Sequence, residues 1–231
     1  VEKPPRFTVG PDAITSFKNT FLSNMQGGVE RLYQAEKPAN AAQREAILAT
    51  TDPYAAKRLG GSCDARHDWE TVKLEIMRRL VAAKFAPGSE FAAKLLATGT
   101  VELVEGNTWR DQCWGAVWDG SAWVGHNHLG KILMQIRDEL RPRLRISGHA
   151  VKLGGWNAPA YIDGWYRTRE CGDIELAEGV LFATTGEDWF IVQRDNVIFG
   201  LVGQRGAWAV MIVDELRARY QSPQLKHWSA K

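Results

Sequence analysis

A carboxylate and an amine seven residues apart are the first chemistry this chain offers. In the run Val29-Glu30-Arg31-Leu32-Tyr33-Gln34-Ala35-Glu36-Lys37, a helical reading puts Glu30, Tyr33 or Gln34, and Lys37 on one face. Side chains three, four and seven positions apart share such a stripe. Backed by apolar Val29, Leu32 and Ala35, the pair could act as acid/base and nucleophile. The same spacing describes a surface helix with solvated charges, and the nine residues alone do not separate the two readings. A second group, Glu105, Asn107, Trp109, Asp111 and Trp114, comes from one loop. Carboxylates alternating with aromatics suit a clamp that stacks on a base and hydrogen-bonds a sugar or base edge. The alternative has both tryptophans plugging the core while Glu105 and Asp111 ion-pair outside. His126 and His128 form an H-x-H with no third ligand nearby, so no metal site is expected.

The elements that must position these groups are mostly helices. Residues 41–49 and 53–59 read as short helices, the second closed by Gly60-Gly61. The strongest pattern runs over 69–85, where Trp69, Val72, Ile76, Leu80 and Ala83 recur at three and four. Asp68 is placed to cap it, since a carboxylate there can accept from a free backbone N–H. Pro87-Gly88 ends it, and Ser89 caps a following helix that stops before Gly99. Residues 101–104 are a short strand or turn. Residues 129–140 form an amphipathic helix with Leu129, Ile132, Leu133, Ile136 and Leu140 inward, Asn127 at its cap and Pro142 as its stop.

Beyond Ile146 the texture changes. Short β-type runs at 180–184, 189–192, 196–201 and 207–213 alternate with turn residues, followed by a final helix near 213–220. They suggest a small antiparallel sheet or partial barrel. Trp156, Trp165, Trp189 and Trp208 in this region could stack on bases, but in short strands such residues more often fill a core. The expected fold class is α+β.

Composition narrows the function classes. A chain of 231 residues, 45% hydrophobic and 24% charged, describes an ordinary globular protein. No apolar run approaches a membrane span, and residues 1–5 carry no signal-like stretch. Cys63, Cys113 and Cys171 are far apart with no CxxC, which fits reduced thiols and a cytoplasmic location. Residues 1–140 hold 17 Lys+Arg and 17 Asp+Glu, and residues 141–231 hold 12 and 10, so the net +2 belongs to the second stretch. Arg141, Arg143 and Arg145 around Pro142 read as a basic hinge. It suits either a phosphate-bearing partner or the dipole of the preceding helix.

Ordered blocks along 13–140 resemble the NADAR family, the YbiA-like domains. They are Ala13-Ile14-Thr15-Ser16-Phe17, Phe21-Leu22-Ser23-Asn24, the run from Val29 to Lys37, Ala55-Ala56-Lys57-Arg58-Leu59-Gly60 and Asp68-Trp69-Glu70-Thr71-Val72-Lys73. The series continues with Lys84-Phe85, Leu95-Leu96-Ala97-Thr98-Gly99, Leu103-Val104-Glu105-Gly106-Asn107-Thr108-Trp109, Trp114-Gly115 and Asn127-His128-Leu129-Gly130. The resemblance implies a helix-rich domain over 13–141, followed by a smaller β-rich region over 146–231 for which no family is recognised. It implies an N-glycosidase that cleaves a C1′–N bond. The substrate would be an ADP-ribosylated guanine in nucleic acid or a phosphoribosylated intermediate of the riboflavin pathway.

Glu30 matches the family's glutamate and is expected to move protons. Lys37 matches the family's lysine and is expected to attack C1′ as a Schiff-base nucleophile, or else to grip a phosphate. Asn24, Arg31, Tyr33, Glu105, Asn107, Trp109, Asp111, Trp114 and Asn127 are expected around the substrate, with no cofactor and DNA as a further partner. Two positions depart from the family. Little more than Met25-Gln26-Gly27-Gly28 separates the Phe-Leu-Ser-Asn block from Glu30, where relatives carry a longer segment, and Arg31 stands where the family commonly has His. The shortened wall keeps a second class open, a pocket that binds ADP-ribose without turnover. A third is a scaffold whose C-terminal region carries the partner contact.

Overall fold

The computed structural model describes residues 3–141 and, beyond them, the backbone of strands between 143 and 212. The chain divides into two compact units, Val1–Leu140 and Arg141–Lys231.

The first unit is built from six helices: α1 (Val29–Ala35), α2 (Ala41–Ala49), α3 (Pro53–Gly61), α4 (Trp69–Lys84), α5 (Glu90–Ala97) and α6 (His128–Leu140). Three two-residue strands, β1 (Arg6–Phe7), β2 (Val117–Trp118) and β3 (Trp123–Val124), form a small antiparallel sheet in the order β1-β3-β2. Strands this short lie below any periodic signal, and only the partner supplied from the far N-terminus reveals the sheet. Helix α1 packs against α2, α3 and α4, and α6 against α4 and α5. The core gathers Phe17, Leu22, Val29, Tyr33, Trp69, Met77, Val81, Phe85, Leu95, Leu103, Leu129, Leu133 and Ile136. The inward stripe expected for α6 is buried at Leu129, Ile132, Leu133 and Ile136, with Leu140 packed at its edge.

Helix ends follow local chemistry. Asn40 and Asp52 cap α2 and α3 by accepting backbone N–H groups, and Ser89 Oγ accepts from Ala92 N at 3.0 Å to cap α5 as expected. Asp68 departs from expectation. It stands at the start of α4 but makes no side-chain cap, because Arg66 Nε and Nη2 donate to its two oxygens at 2.5 and 2.9 Å. A forked, charge-assisted pair outcompetes a single backbone N–H. Helix α1 also differs from the nine-residue reading. It ends at Ala35, with Glu36 as its cap, so Lys37 lies outside the helix rather than on the Glu30 stripe. Pro38 is the cause, since proline disfavours helical geometry at the residue before it.

The segment that leads into α1 is a chain of turns. Gly27 and Gly28 both adopt positive φ, 70° and 74°, and Asn24 O accepts the Glu30 N–H at 3.0 Å. Lys84, from the last turn of α4, holds this segment down. Its Nζ donates to Phe21 O at 2.6 Å and Ser23 O at 2.9 Å, and lies about 5 Å from the Phe85 and Phe91 ring centres. Burial lowers the Lys84 ammonium to about 8. The short Met25–Gly28 bridge is thus braced by a half-buried cation.

In the second unit the described strands are β4 (Arg143–Val151), β5 (Tyr161–Thr168), β6 (Ile174–Glu175), β7 (Gly179–Ala183), β8 (Asp188–Arg194), β9 (Val197–Gln204) and β10 (Ala207–Ile212). Their order is β5-β10-β9-β8-β7-β4-β6, with a further β4–β5 pairing. Most neighbours are antiparallel, while β10–β5, β4–β6 and β4–β7 are parallel. The basic hinge expected at Arg141, Arg143 and Arg145 is a strand from Arg143 onward, registered as Arg143↔Arg167 and Arg145↔Trp165. Successive arginines at every second residue fit a strand face better than a joint. The final helix expected near 213–220 lies outside the described residues, as does Trp156.

Candidate active site

Burial separates the two readings of Glu30. The residue is only 6% exposed, so its carboxylate belongs to the interior of the unit and not to a solvated face. A carboxylate there needs a donor, and Gln34, one helical turn on, gives one: its Nε2 donates to Glu30 Oε1 at 2.9 Å. Gln34 is itself buried, and its Oε1 has no hydrogen-bond partner. Helix α3 crosses here at a glycine for a steric reason. A Cβ on Gly60 would stand 2.0 Å from Gln34 Oε1 and 2.9 Å from Gln34 Cβ.

Between Glu30 and Gln34 on α1, Tyr33 is buried, its ring 5.0 Å from Trp69 of α4 and 5.4 Å from Trp114. Burial pushes its phenol far above its usual value. The Cys113, Glu30, Glu70 and Asp111 charges add to that shift in decreasing order. Trp69 of α4 and Trp114 of the 105–114 loop therefore both pack on the Tyr33 ring.

The loop is held by amides. Asn107 Nδ2 donates to Asp111 O at 2.7 Å and to Ala116 O at 3.3 Å, while its Oδ1 accepts Asp111 N at 3.0 Å. Asp111 Oδ1 accepts the backbone N–H groups of Cys113 and Trp114, both at 2.9 Å. Asn127 was expected at the cap of α6. Instead its side chain spans to the 103–105 segment, where Oδ1 accepts Glu105 N at 3.0 Å and Nδ2 donates to Leu103 O at 2.9 Å. Its backbone is left-handed, φ 50°, and its amide lies against α6 at Gly130. Gly115 and Gly130 permit the close approach, since a Cβ on either would stand about 2 Å from the Glu105 or Leu103 carbonyl oxygen.

Glu105 is the residue this scaffold presents. Its backbone is fixed on both sides, yet its Oε2 is buried with no hydrogen-bond partner. Burial raises its carboxyl to about 7, Asp111 adds to the rise, and Lys57 of α3 opposes it. Neither carboxylate of the loop ion-pairs outside the molecule as the alternative reading held.

Among the remaining expected residues, Tyr33 follows Glu30 on α1 and meets Trp114 edge-on, and the charge of Asp111 acts on both Tyr33 and Glu105. Asn107 and Asn127 spend their side chains on the backbone and act as braces. Asn24 Nδ2 faces Met77 Sδ at 3.3 Å, and Arg31 Nη1 donates to Leu48 O at 2.9 Å, tying α1 to the end of α2. Trp109 is 59% exposed. Lys37 follows α1, its N–H on Gln34 O and its carbonyl accepting Arg66 N.

Sequence reasoning missed Lys57 and Gly60, three apart and so on one face of α3, as well as Glu70 and Cys113. The Lys57/Gly60 spacing was the available signal. His126 and His128 stack with centres 5.3 Å apart and planes 3° from parallel. Burial, His126, Lys131 and Lys73 together lower the His128 imidazole.

Glu30 is buried with an amide donor, and the braced loop carries the donorless Glu105 Oε2; the comparisons give the family. Residues 17–141 match the NADAR domain, and the chain belongs to that family. N-glycosidase YbiA of Escherichia coli is 40% identical over 113 residues, covering 48% of this chain and 68% of that protein. N-glycosidase Npun_R5314 of Nostoc punctiforme is 40% identical over 125 residues, 52% of this chain and 78% of the relative. Riboflavin biosynthesis protein VVA0006 of Vibrio vulnificus is 40% identical over 168 residues, 72% of this chain, which spans 42% of that relative's length. No helix among the described residues is long and apolar enough to cross a membrane.

Proposed function

We propose that this chain is an N-glycosidase that hydrolyses the C1′–N bond of a phosphoribosylated or ADP-ribosylated base, with residues 13–141 as the catalytic domain and 146–231 as an accessory region. The observation that carries it is the buried Glu30 carboxylate with its single amide donor. Gln34 Oε1 and Glu105 Oε2 are buried acceptors without protein donors, and ribose hydroxyls and a base amine are the donors such a site would take. As C1′–N of the ring-opened sugar lengthens, positive charge builds at C1′ and at the nitrogen that takes the base's place. A fixed carboxylate stabilises that charge and takes the proton of the incoming water.

Lys37 is the proposed nucleophile on a ring-opened sugar. Its Nζ replaces the base nitrogen in the C1′=N bond, giving one proton to the departing nitrogen and one to a carboxylate, while a carboxylic acid supplies the second proton of the departing amine. Water then hydrolyses the C1′=Nζ imine and returns the amine. The names of the Vibrio vulnificus relative and of riboflavin biosynthesis protein PYRR from Zea mays favour a phosphoribosylamine of riboflavin synthesis as substrate. The net positive charge of residues 141–231 favours ADP-ribosylated guanine in DNA as the second reading.

The test is base release from both compounds by the wild type, with borohydride trapping of the sugar on Lys37. Release and trapping that Lys37→Arg abolishes support the reading. Silence on both compounds while ADP-ribose still binds contradicts it and makes the chain a binding module.

A further inference from the structure

We infer that Glu105 is the acid that protonates the leaving nitrogen, so that the site divides proton transfer between two carboxylates. The inference rests on the glycosidase reading above, and the rigid mount of Glu105 with its donorless buried oxygen carries it. Glu30 sits on a helix and already accepts a hydrogen bond from Gln34. Glu105 sits on a loop whose backbone is clamped by Asn127 Oδ1 on its N–H and by Ala116 N on its carbonyl, with the Gly115 Cα pressed against it. So rigid a mount for a buried carboxyl oxygen without a donor is costly as a structural device, because nothing offsets the desolvation of the charged form. It suits a carboxylic acid that keeps its proton until a ligand nitrogen arrives.

The charged groups facing Glu105 are Asp111, from the same loop, and Lys57, from α3. Burial and Asp111 outweigh Lys57, which leaves its carboxyl titrating at about 7. Pairs of carboxyls driven to different protonation states by their surroundings are how one site supplies both an acid and a base. When the C1′–N bond breaks, its electron pair stays on nitrogen and the Glu105 proton goes to that nitrogen. Lys37 Nζ takes the place of that nitrogen on C1′ and passes its remaining proton to Glu30, water then hydrolyses the C1′=Nζ imine, and exchange with solvent restores both carboxyls. The substrates that need this are N-glycosides with poor amine or amide leaving groups.

The experiment compares the wild type with Glu105→Gln on two substrates. One is the phosphoribosylamine or ADP-ribosyl-guanine compound that the wild type cleaves, and the other is N-(4-nitrophenyl)ribosylamine 5-phosphate, whose weakly basic amine departs with far less help from an acid. Glu105→Gln should lose about 10²–10³-fold in kcat/KM on the N-glycoside and less than about tenfold on the nitrophenyl compound. Nitrophenyl turnover then serves as the internal control for folding. On the N-glycoside, wild-type kcat/KM should fall as pH rises through about 7, and the variant should lose that limb. Equal losses on both substrates, or a limb that survives the substitution, would overturn the role. Wild-type release of the base combined with either of those results removes Glu105 alone. Wild-type silence on every glycoside removes the glycosidase reading and this inference with it.

Discussion

Helix α1 and the 103–116 loop each bury a carboxylate, and they solve the problem in opposite ways. On α1 the solution is local. Gln34 lies one turn beyond Glu30 and donates to it, so the carboxylate carries its own partner along the helix. On the loop the bracing side chains bond backbone instead. Asn107, Asp111 and Asn127 fix Leu103, Glu105, Cys113, Trp114 and Ala116, and nothing is left for Glu105 Oε2. A helix satisfies its acid, whereas the loop holds its acid rigid and unsatisfied. That difference separates a carboxylate with a donor from one whose Oε2 has none.

Breaking the loop should have the largest effect on stability. Asn127→Ala removes the partners of Glu105 N and Leu103 O, both buried with it, and should cost about 2–4 kcal/mol. That is a fall in Tm of roughly 5–15 °C for a chain of this size, read by thermal unfolding. A loss under about 1 kcal/mol would mean that the loop is not held by this amide. The next effect sharpens the contrast through pH. The folded protein keeps the Glu105 proton up to about 7, while an unfolded carboxyl releases it near 4.5. The stability gained this way is full below the lower value and is lost as pH rises through about 7. Between pH 5 and pH 8 the wild type should lose on the order of 2 kcal/mol more than Glu105→Gln, measured by urea unfolding at both pH values.

A smaller effect tests the helix side. Gly60→Ala pushes a methyl into Gln34 and should cost about 1–2 kcal/mol and lower kcat by displacing the amide from Glu30. An unchanged kcat would show that Gln34 does not position the carboxylate. Smallest of all, Arg31→Met removes only the tie to Leu48 O and should cost about 1 kcat-neutral kcal/mol, whereas a large rise in KM would put Arg31 at the substrate.

What the sequence disclosed follows the same divide. The Glu30–Gln34 spacing, the Ser89 cap and the inward stripe of α6 are local patterns, and each was legible. The end of α1 was legible too, in Lys37-Pro38, but a stripe drawn through position 37 overrode the proline. Asp68 misled because its competitor, Arg66, is itself a neighbour that simple capping rules ignore. The state of Glu105 was not legible at all. It depends on Asn127, 22 residues away, on a glycine-only approach at Gly115, and on Lys57 from a helix earlier in the chain. The small β1-β3-β2 sheet escaped for the same reason, since its edge comes from residues 6–7 pairing with 123–124.

The central claim is that a buried glutamate on α1 drives cleavage of a C1′–N bond. Its most direct test is single-turnover base release by wild type and Glu30→Gln on whichever compound the wild type accepts, with ADP-ribose affinity and Tm measured on the same samples. Glutamine keeps an oxygen for Gln34 to bond, so the fold and ligand affinity should hold while the rate falls by about 10²–10⁴-fold. A variant that folds, binds and still releases base at the wild-type rate would contradict the account.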